Sequence, residues 1–248
     1  TPDMLFPATA CLLQRELKAF NAATFDLEAG CSGFVYGVCV ATQFIETGLY
    51  ENILVVGAET LSKVTDWEDR STCVLFGDGA GSAVLQPAEK GGFLAFDMGA
   101  DGTGADTLYI PGGGSAQPSS KETVEQHLHY IKMEGNQVFK FAVKRMSQAS
   151  LDVLKKAGIA PAEVDLFVPH QANIRIIDAA ARRLNLESDK VFVNLPKYGN
   201  TSTASVPIAL IEARKEGLVN NGDIIVLVAF GAGLTWASTV IEWNEGGG

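Results

Sequence analysis

The stretch TFDLEAGCSGFVYGVCVATQFIETGLYENILVVGA, residues 24–58, contains the pattern that decides the fold. It predicts a short strand at Thr24–Leu27, then a helix from about Ser32 to Thr47 that stops at Gly48. The apolar run Asn52–Ala58 follows, and a short run of this kind is typical of a buried parallel strand. A strand, a helix and a second strand in this order favour an α/β fold whose parallel sheet is covered on both faces.

The rest of the chain continues this alternation. Further helices are predicted at Phe6–Phe20, Asn136–Lys156, Ile174–Leu184 and Ala204–Lys215, and further strands at Val164–Val168, Ile224–Phe230 and Thr235–Trp243. The segment Pro87–Gly92 is polar and contains glycine, which makes it the best candidate for a boundary between two halves. We therefore expect an N-terminal half at residues 1–89 and a C-terminal half at residues 90–248.

The composition of the chain limits the classes of protein to which it can belong. The 248 residues are 47% hydrophobic, enough for a substantial core, as one large domain or two closely packed halves. A net charge of −10 argues against binding nucleic acid or an anionic membrane through bulk electrostatics. The four cysteines show no C-x-x-C pairing, which favours a reducing, cytoplasmic compartment. The chain starts at Thr1 rather than Met, so we interpret it as processed, cropped or incomplete at the N-terminus.

Cys31 is the candidate nucleophile. It lies in AGCSGF, residues 29–34, after the first predicted strand and before a helix. The free backbone N–H groups and the macrodipole of a helix N-terminus favour an anion, so we expect the pKa of the thiol to fall. Glu28 would oppose thiolate formation if it pointed inward, and we expect it to point away. The competing interpretation is a buried, inert cysteine.

His170 and Asn200 are the candidate polar partners. His170 lies in VPHQAN, residues 168–173, where its imidazole either takes a proton from a thiol or donates to an oxyanion, unless it is a satisfied core or capping histidine. Asn200 lies in YGNTS, residues 198–202, and is either a turn or N-cap residue or a carboxamide donor of an oxyanion hole. His127 and His129 lack an evident third ligand, so we expect surface residues and no metal site. FGDGAG, residues 76–81, precedes a strand rather than a helix, which predicts a tight turn and not a nucleotide site.

Four motifs, AGCSGF, FGDGAG, PHQAN and GNTS, resemble the β-ketoacyl-acyl carrier protein synthase III family of the thiolase superfamily in order and context. GNQVFK, residues 135–140, is similar as well, and the resemblance runs from Thr1 to about Trp243. It implies an α/β, thiolase-like five-layer αβαβα fold with two similar halves. The first half is incomplete at its N-terminus, because the family's first strand–helix–strand units are absent from this sequence.

The resemblance implies a ping-pong Claisen condensation that begins type II fatty acid synthesis. Cys31 would accept an acyl group from acyl-CoA; malonyl-acyl carrier protein would then lose CO₂ and attack the thioester, giving β-ketoacyl-acyl carrier protein. The backbone N–H groups of Cys31 and Ala232 would hold the oxyanion of acyl transfer. His170 and Asn200 would hydrogen-bond the malonyl thioester oxygen. Ala232 stands where the family often has glycine, and the resemblance implies no metal or redox cofactor.

Further positions are carried over from the same resemblance. Two bind CoA or its pantetheine arm: Arg70 and Asn173. Four line the acyl pocket, the first of them across a homodimer interface: Phe6, Phe76, Met133 and Phe230. Four form a basic patch for the acidic acyl carrier protein: Lys140, Arg175, Arg182 and Arg183. An acidic enzyme can bind an acidic partner only through such a local positive surface.

Three alternatives stay open. The chain is a synthase III-like enzyme of secondary metabolism with another acyl donor, an inactive truncated scaffold that associates through its Phe6-containing surface, or a cysteine hydrolase that releases a free acid. If the polypeptide truly begins at Thr1, its first sheet exposes an edge, and we expect poor stability and little activity.

Overall fold

The computed structural model describes residues 1–245 and contains two packed regions of helices and strands. The helices are α1 (Thr9–Leu17), α2 (Gly33–Glu46), α3 (Lys121–Glu125), α4 (Gly135–Ala157), α5 (Ile174–Leu184), α6 (Leu195–Tyr198) and α7 (Ser205–Lys215). The strands are β1 (Ile53–Thr60), β2 (Asp78–Leu85), β3 (Gly92–Ala100), β4 (Leu108–Tyr109), β5 (Lys132–Met133), β6 (Leu166–Pro169), β7 (Ile224–Gly231) and β8 (Thr235–Glu242). No helix in this described part is long and apolar enough to cross a membrane.

A four-stranded sheet of order β3-β8-β7-β6 forms the centre. β6 and β7 are parallel, while β7–β8 and β8–β3 are antiparallel. Alternate residues of β7 face opposite cores: Ile225, Leu227 and Ala229 pack with α2 and α7, whereas Val226 and Val228 pack with α4 and α5. Both faces of this sheet are therefore covered. β6, β7 and β8 lie close to their predicted bounds, whereas the sequence pattern predicts no strand at β3.

The N-terminal sheet differs from the expectation. β1 is not a buried parallel strand, because it pairs antiparallel with β2 in a two-stranded sheet. Only one face is covered, and Leu54, Val56 and Val84 on the other are 43%, 40% and 64% exposed. The predicted strand Thr24–Leu27 forms no ladder, since it has no neighbouring strand among the described residues.

The predicted tight turn at FGDGAG is also wrong, because Asp78–Leu85 is a strand. Its glycines are explained by close packing instead. A Cβ on Gly77 would lie 2.2 Å from the Tyr198 carbonyl oxygen, and one on Gly81 would lie 2.9 Å from Pro207 of α7. Side chains here would push α7 and the segment before it away from β2.

The predicted boundary at residues 89/90 falls between β2 and β3. The halves nevertheless share one core, since Phe34, Val55 and Leu85 belong to the same apolar cluster as Ile225 and Leu227. The division into two units stays a prediction.

Candidate active site

Cys31 lies in a 3₁₀ turn, Gly30–Ser32, that leads directly into α2. The turn is tied to the rest of the molecule on both sides. The Thr235 hydroxyl donates to the Ala29 carbonyl at 2.7 Å, and the Phe34 backbone N–H donates to the Thr203 hydroxyl at 2.6 Å. Because these contacts come from distant parts of the chain, the position of the thiol depends on the whole fold.

The expected fall in the thiol pKa is wrong for this structure. Burial raises the pKa of Cys31 to about 11, although a hydrogen bond with the Ser202 side chain opposes the rise. A helix N-terminus contributes at most about 2 kcal/mol to an anion, which does not offset removal of a thiolate from water. Glu28 is exposed, as expected. Cys31 is therefore a protonated thiol at neutral pH.

The β7–β8 hairpin presses its backbone against the Cys31 turn. A Cβ on Gly231 would lie 2.4 Å from the Cys31 backbone nitrogen, and a Cβ on Gly30 would lie 2.8 Å from the Ala232 nitrogen. Gly30 also has a positive φ of 53°, which glycine adopts without strain. Within the described chain, neither the Cys31 nor the Ala232 N–H donates to another residue. Two free backbone donors beside a nucleophile form a candidate oxyanion hole.

His170 follows β6 and is 1% exposed. Burial lowers its pKa to about 3, so the imidazole is neutral. Its Nδ1 lies 2.6 Å from the Ser205 hydroxyl oxygen, and its ring packs edge-on against Phe230 at a centroid distance of 5.3 Å. Its Nε2 is buried and has no hydrogen-bond partner in the described chain. An unpartnered buried nitrogen on a neutral ring is available to a ligand.

Asn200 is 9% exposed and lies just beyond α6. Its backbone is held by β-type contacts: its N–H donates to Leu75, and its carbonyl accepts from Gly77 at 2.9 Å. Its side-chain oxygen accepts from the Ser202 N–H at 2.8 Å, which turns the amide NH₂ away from that bond. Asn200 thus has a turn-forming role through its oxygen and keeps a donor nitrogen.

The segment 200–205 joins all three predicted groups. The Asn200 side-chain oxygen accepts from the Ser202 N–H, the Ser202 side chain lowers the pKa of the Cys31 thiol, and the Ser205 hydroxyl contacts His170 Nδ1. The sequence pattern assigns neither serine a site role: Ser202 ends the GNTS motif, and Ser205 lies in the predicted helix Ala204–Lys215. Ser202 carries a signal of its own in the structure, a positive φ of 50° that non-glycine residues rarely adopt.

Gln171 fixes the backbone beside His170. Its amide NH₂ donates to the Pro169 and Phe192 carbonyls, and its oxygen accepts from the N–H groups of Asn194 and Leu195. All of its hydrogen-bonding capacity is used inside the protein, so its role is structural.

The predicted pocket and CoA positions differ in burial and in contacts. Phe230 is buried against His170, Phe76 bridges Asn200, and Met133 packs beside the α4–α5 core. Phe6 is 83% exposed and far from burial in a single chain. Arg70 is exposed, and Asn173 caps α5, accepting from the Arg175 N–H at 2.9 Å.

Basic residues of α4 and α5 line one open groove of about 670 Å³. Three of the predicted patch residues lie in it, Lys140, Arg182 and Arg183, and the structure adds Lys144. Arg175 is not in the groove; its guanidinium lies 5.1 Å from the Phe139 ring centre.

A separate polar cluster joins Asp66, Glu68 and His127, whose ligand atoms lie within 4.8 Å of one another. His127 Nδ1 is 3.0 Å from the Asp66 carboxylate, and Lys132 approaches the same carboxylate at 3.8 Å. Lys132 therefore forms an ion pair with Asp66, and His127 contacts the same carboxylate.

Two family models match the chain. The model described as 3-oxoacyl-[acyl-carrier-protein] synthase III matches residues 25–102, and its C-terminal counterpart matches residues 154–243. Among curated proteins, β-ketoacyl-[acyl-carrier-protein] synthase III of Caldanaerobacter subterraneus is 61% identical over 99% of this chain and 74% of its own length. The enzyme of that name from Desulfitobacterium hafniense is 57% identical over 100% of this chain and 75% of its own length.

Solved structures of similar fold point to the same family. Synthase III of Thermus thermophilus superposes with a TM-score of 0.90 at 49% identity, covering 98% of this chain and 75% of that one. A priming β-ketosynthase of the R1128 polyketide pathway gives 0.88 at 36% identity, covering 97% and 72%. The thiolase-like α/β fold expected from the motifs is thereby confirmed, and the chain belongs to the β-ketoacyl-[acyl-carrier-protein] synthase III family of condensing acyltransferases.

Proposed function

We propose that this protein transfers an acyl group from acyl-CoA to Cys31 and condenses it with malonyl-acyl carrier protein, the initiating step of type II fatty acid synthesis. Family membership supports the reaction type. The observation that supports the residue assignment is the 200–205 segment: it bears the Asn200 carboxamide, contacts His170 Nδ1 through Ser205, and accepts through Thr203 from the Phe34 N–H, three residues after Cys31. His170 also keeps a buried, unpartnered Nε2.

In the first half-reaction, the Cys31 sulfur attacks the acyl-CoA carbonyl carbon, and the C–S bond to CoA breaks. The thiol proton ends on the departing CoA sulfur, so charge and atoms balance. The oxyanion that forms in between takes hydrogen bonds from the free N–H groups of Cys31 and Ala232. The close contact of Gly30 and Gly231 with these atoms sets their separation.

In the second half-reaction, the malonyl group loses CO₂ and leaves an enolate on its thioester. His170 Nε2 and the Asn200 amide donate to the enolate oxygen. Neutral donors suit this step, because a charged imidazolium would protonate the carbanion equivalent that must attack the acyl-Cys31 carbonyl. Burial of both side chains keeps competing water away. The attack forms the new C–C bond and breaks the C–S bond to Cys31, which leaves as a thiolate carrying the charge of the enolate. A proton from solvent then restores the Cys31 thiol after the product departs.

The surrounding positions support the same proposal. We propose that Phe230, Phe76 and Met133 line the acyl pocket, and that Arg70 and Asn173 contact CoA and its pantetheine arm. Phe6, being exposed, would enter the pocket of a second copy in a homodimer. We further propose a cytoplasmic location.

The groove between α4 and α5 is the proposed docking surface for the acyl carrier protein. It brings Lys140, Lys144, Arg182 and Arg183 together on a chain of net charge −10. Replacing Lys144 and Arg182 by Glu should raise the KM for malonyl-acyl carrier protein about tenfold and leave Cys31 acylation unchanged. Lys155→Glu, on the same helix outside the groove, is the matched control. An equal effect of both changes would refute a specific surface.

The test of the catalytic assignment is intact-mass spectrometry after incubation with acetyl-CoA or isobutyryl-CoA. We expect an acyl adduct in the protein and in Cys73→Ser, but none in Cys31→Ala. His170→Ala and Asn200→Ala should still acylate and should fail to condense. A free-acid product without C–C bond formation would indicate a cysteine hydrolase, and an absence of any adduct would overturn the nucleophile assignment.

A second candidate function is priming of a polyketide or related secondary pathway. The similarity to the R1128 priming β-ketosynthase favours it. The same enzyme preparation discriminates the two: condensation with malonyl-CoA but not with malonyl-acyl carrier protein would support an enzyme of secondary metabolism.

A further inference from the structure

Ser205 contacts the Nδ1 nitrogen of His170, on the side of the ring opposite the unpartnered Nε2. Its hydroxyl oxygen lies 2.6 Å from His170 Nδ1 and accepts from the Gln171 backbone N–H at 3.3 Å. Ser205 is 2% exposed and begins α7. The hydroxyl is therefore enclosed and has few possible partners.

The hydrogen-bond partners of the Ser205 hydroxyl determine whether it donates to His170 Nδ1 or accepts from it. The Gln171 N–H can only donate, so it takes one lone pair of the Ser205 oxygen. In the described chain, the hydroxyl hydrogen has one acceptor within reach, His170 Nδ1. If Nδ1 carried a hydrogen, the Ser205 O–H would be buried without an acceptor, at the full cost of desolvation. Nδ1 is therefore the acceptor, and a neutral ring must then carry its hydrogen on Nε2.

We infer that Ser205 is a positioning residue that holds His170 in the Nε2–H tautomer, with that N–H aimed at the substrate thioester oxygen. The inference rests on the proposed role of His170 as a donor in the condensation step. It also assigns what His170 does not do: an Nε2 that already carries hydrogen cannot take the proton of the Cys31 thiol. Ser205 therefore acts on condensation and leaves acyl transfer alone.

Nitrogen-15 NMR tests the tautomer directly, because the chain has three histidines and His170 is identified by loss of its signals in His170→Ala. We expect a pyridine-type shift at Nδ1 and a pyrrole-type shift at Nε2 of His170. A pyrrole-type Nδ1 in the unmodified protein would overturn the inference whatever the activity data show.

Kinetics of the two half-reactions test the consequence. Ser205→Ala should slow condensation about tenfold, because a loosened donor misplaces the hydrogen bond to the enolate, and acylation by acetyl-CoA should change less than about twofold. Ser205→Thr retains the hydroxyl and should restore condensation to within about threefold of the original. An equal loss in both half-reactions, or no rescue by threonine in a protein of unchanged Tm, would indicate a structural role only.

His170→Ala separates this inference from the proposed function. If it leaves condensation intact, the donor role of His170 is wrong. If it abolishes condensation while Ser205→Ala does not slow it, the donor role stands and the inference about Ser205 fails.

Discussion

Gly231→Ala tests how the oxyanion hole is built. Gly231 ends β7, and a Cβ there would lie 2.4 Å from the Cys31 backbone nitrogen, 3.1 Å from Ser32 N and 3.1 Å from Gly30 C. All three contacts are with backbone, which cannot rotate away as a side chain can. Ordinary contact begins at 3.4 Å, so the hairpin and the Cys31 turn must separate by about 1 Å.

A shift of this size has calculable consequences. A misplacement of about 1 Å costs roughly 10²-fold in rate, and loss of one oxyanion-hole donor costs about 10²–10³-fold. Acylation of Cys31 should therefore slow by at least about 100-fold. Overpacking of a close backbone contact typically costs about 1–3 kcal/mol of stability, so the variant should fold with a lowered Tm.

Stopped-time intact-mass spectrometry measures the acylation rate, and thermal unfolding measures the stability. Gly135→Ala is the matched control, because its Cβ would meet only the Met133 methyl at 3.7 Å at the start of α4. An acylation rate for Gly231→Ala within about threefold of the original would contradict this prediction. It would mean that the Cys31 and Ala232 N–H groups do not hold the oxyanion in the geometry described.

Three further predictions concern ionisation and support of the site. Because the pKa of Cys31 is about 11, its alkylation by iodoacetamide should become about tenfold faster per pH unit between about pH 7 and 9. The alkylation rate, followed by mass spectrometry, should show no plateau in this range. A plateau near pH 7 would contradict this prediction. Burial lowers the pKa of His170 from 6.5 to about 3, so the stability that its neutral ring contributes above pH 6.5 is lost as the pH falls toward 3. The NMR shifts of the His170 ring should therefore stay constant from about pH 8 to 5.5. A titration midpoint near pH 6.5 would show an exposed ring. Burial would raise the pKa of Glu212, but hydrogen bonds from Lys197, Tyr198 and Asn194 lower it to about 2. Glu212→Gln should therefore lower the free energy of unfolding by about 1 kcal/mol at pH 7. In urea titrations, this difference should disappear as the pH falls from 4.5 toward 2. A difference that stays constant with pH would assign the loss to packing.

The sequence predicted elements that depend on local pattern. α5 has the predicted bounds, α4 differs by one residue at each end, and α7 differs by one residue at its start. β7 and β8 follow from long apolar runs around a glycine hairpin. These segments carry both a period and a stop signal, and their burial against the central sheet agrees with the local preference.

Errors arose where a neighbour decides the structure. An apolar run cannot state whether its partner strand is parallel, so β1 was predicted parallel and pairs antiparallel. The glycines of FGDGAG predicted a turn, whereas Pro207 and Tyr198, distant in sequence, require them for close packing. The prediction of a lowered pKa for the Cys31 thiol is wrong for the same reason. The helix N-terminus is visible in the sequence, whereas the burial that raises the pKa is not. Ser205 was unremarkable until the fold placed it on His170.

His170 and Gln171 show why the site is more than a set of buried polar residues. Both are 1% exposed, and they are adjacent in the chain. The Gln171 side chain satisfies all of its hydrogen-bonding groups, so the fold can supply partners at this place. His170 Nε2 has none in the described chain, although a buried polar group left unpaired costs about 1–3 kcal/mol. The contrast between four satisfied groups on the Gln171 side chain and one open group on its neighbour supports the proposal that Nε2 serves a substrate. On that proposal, the Ser205 hydroxyl keeps a hydrogen on Nε2, so that the imidazole donates to the substrate.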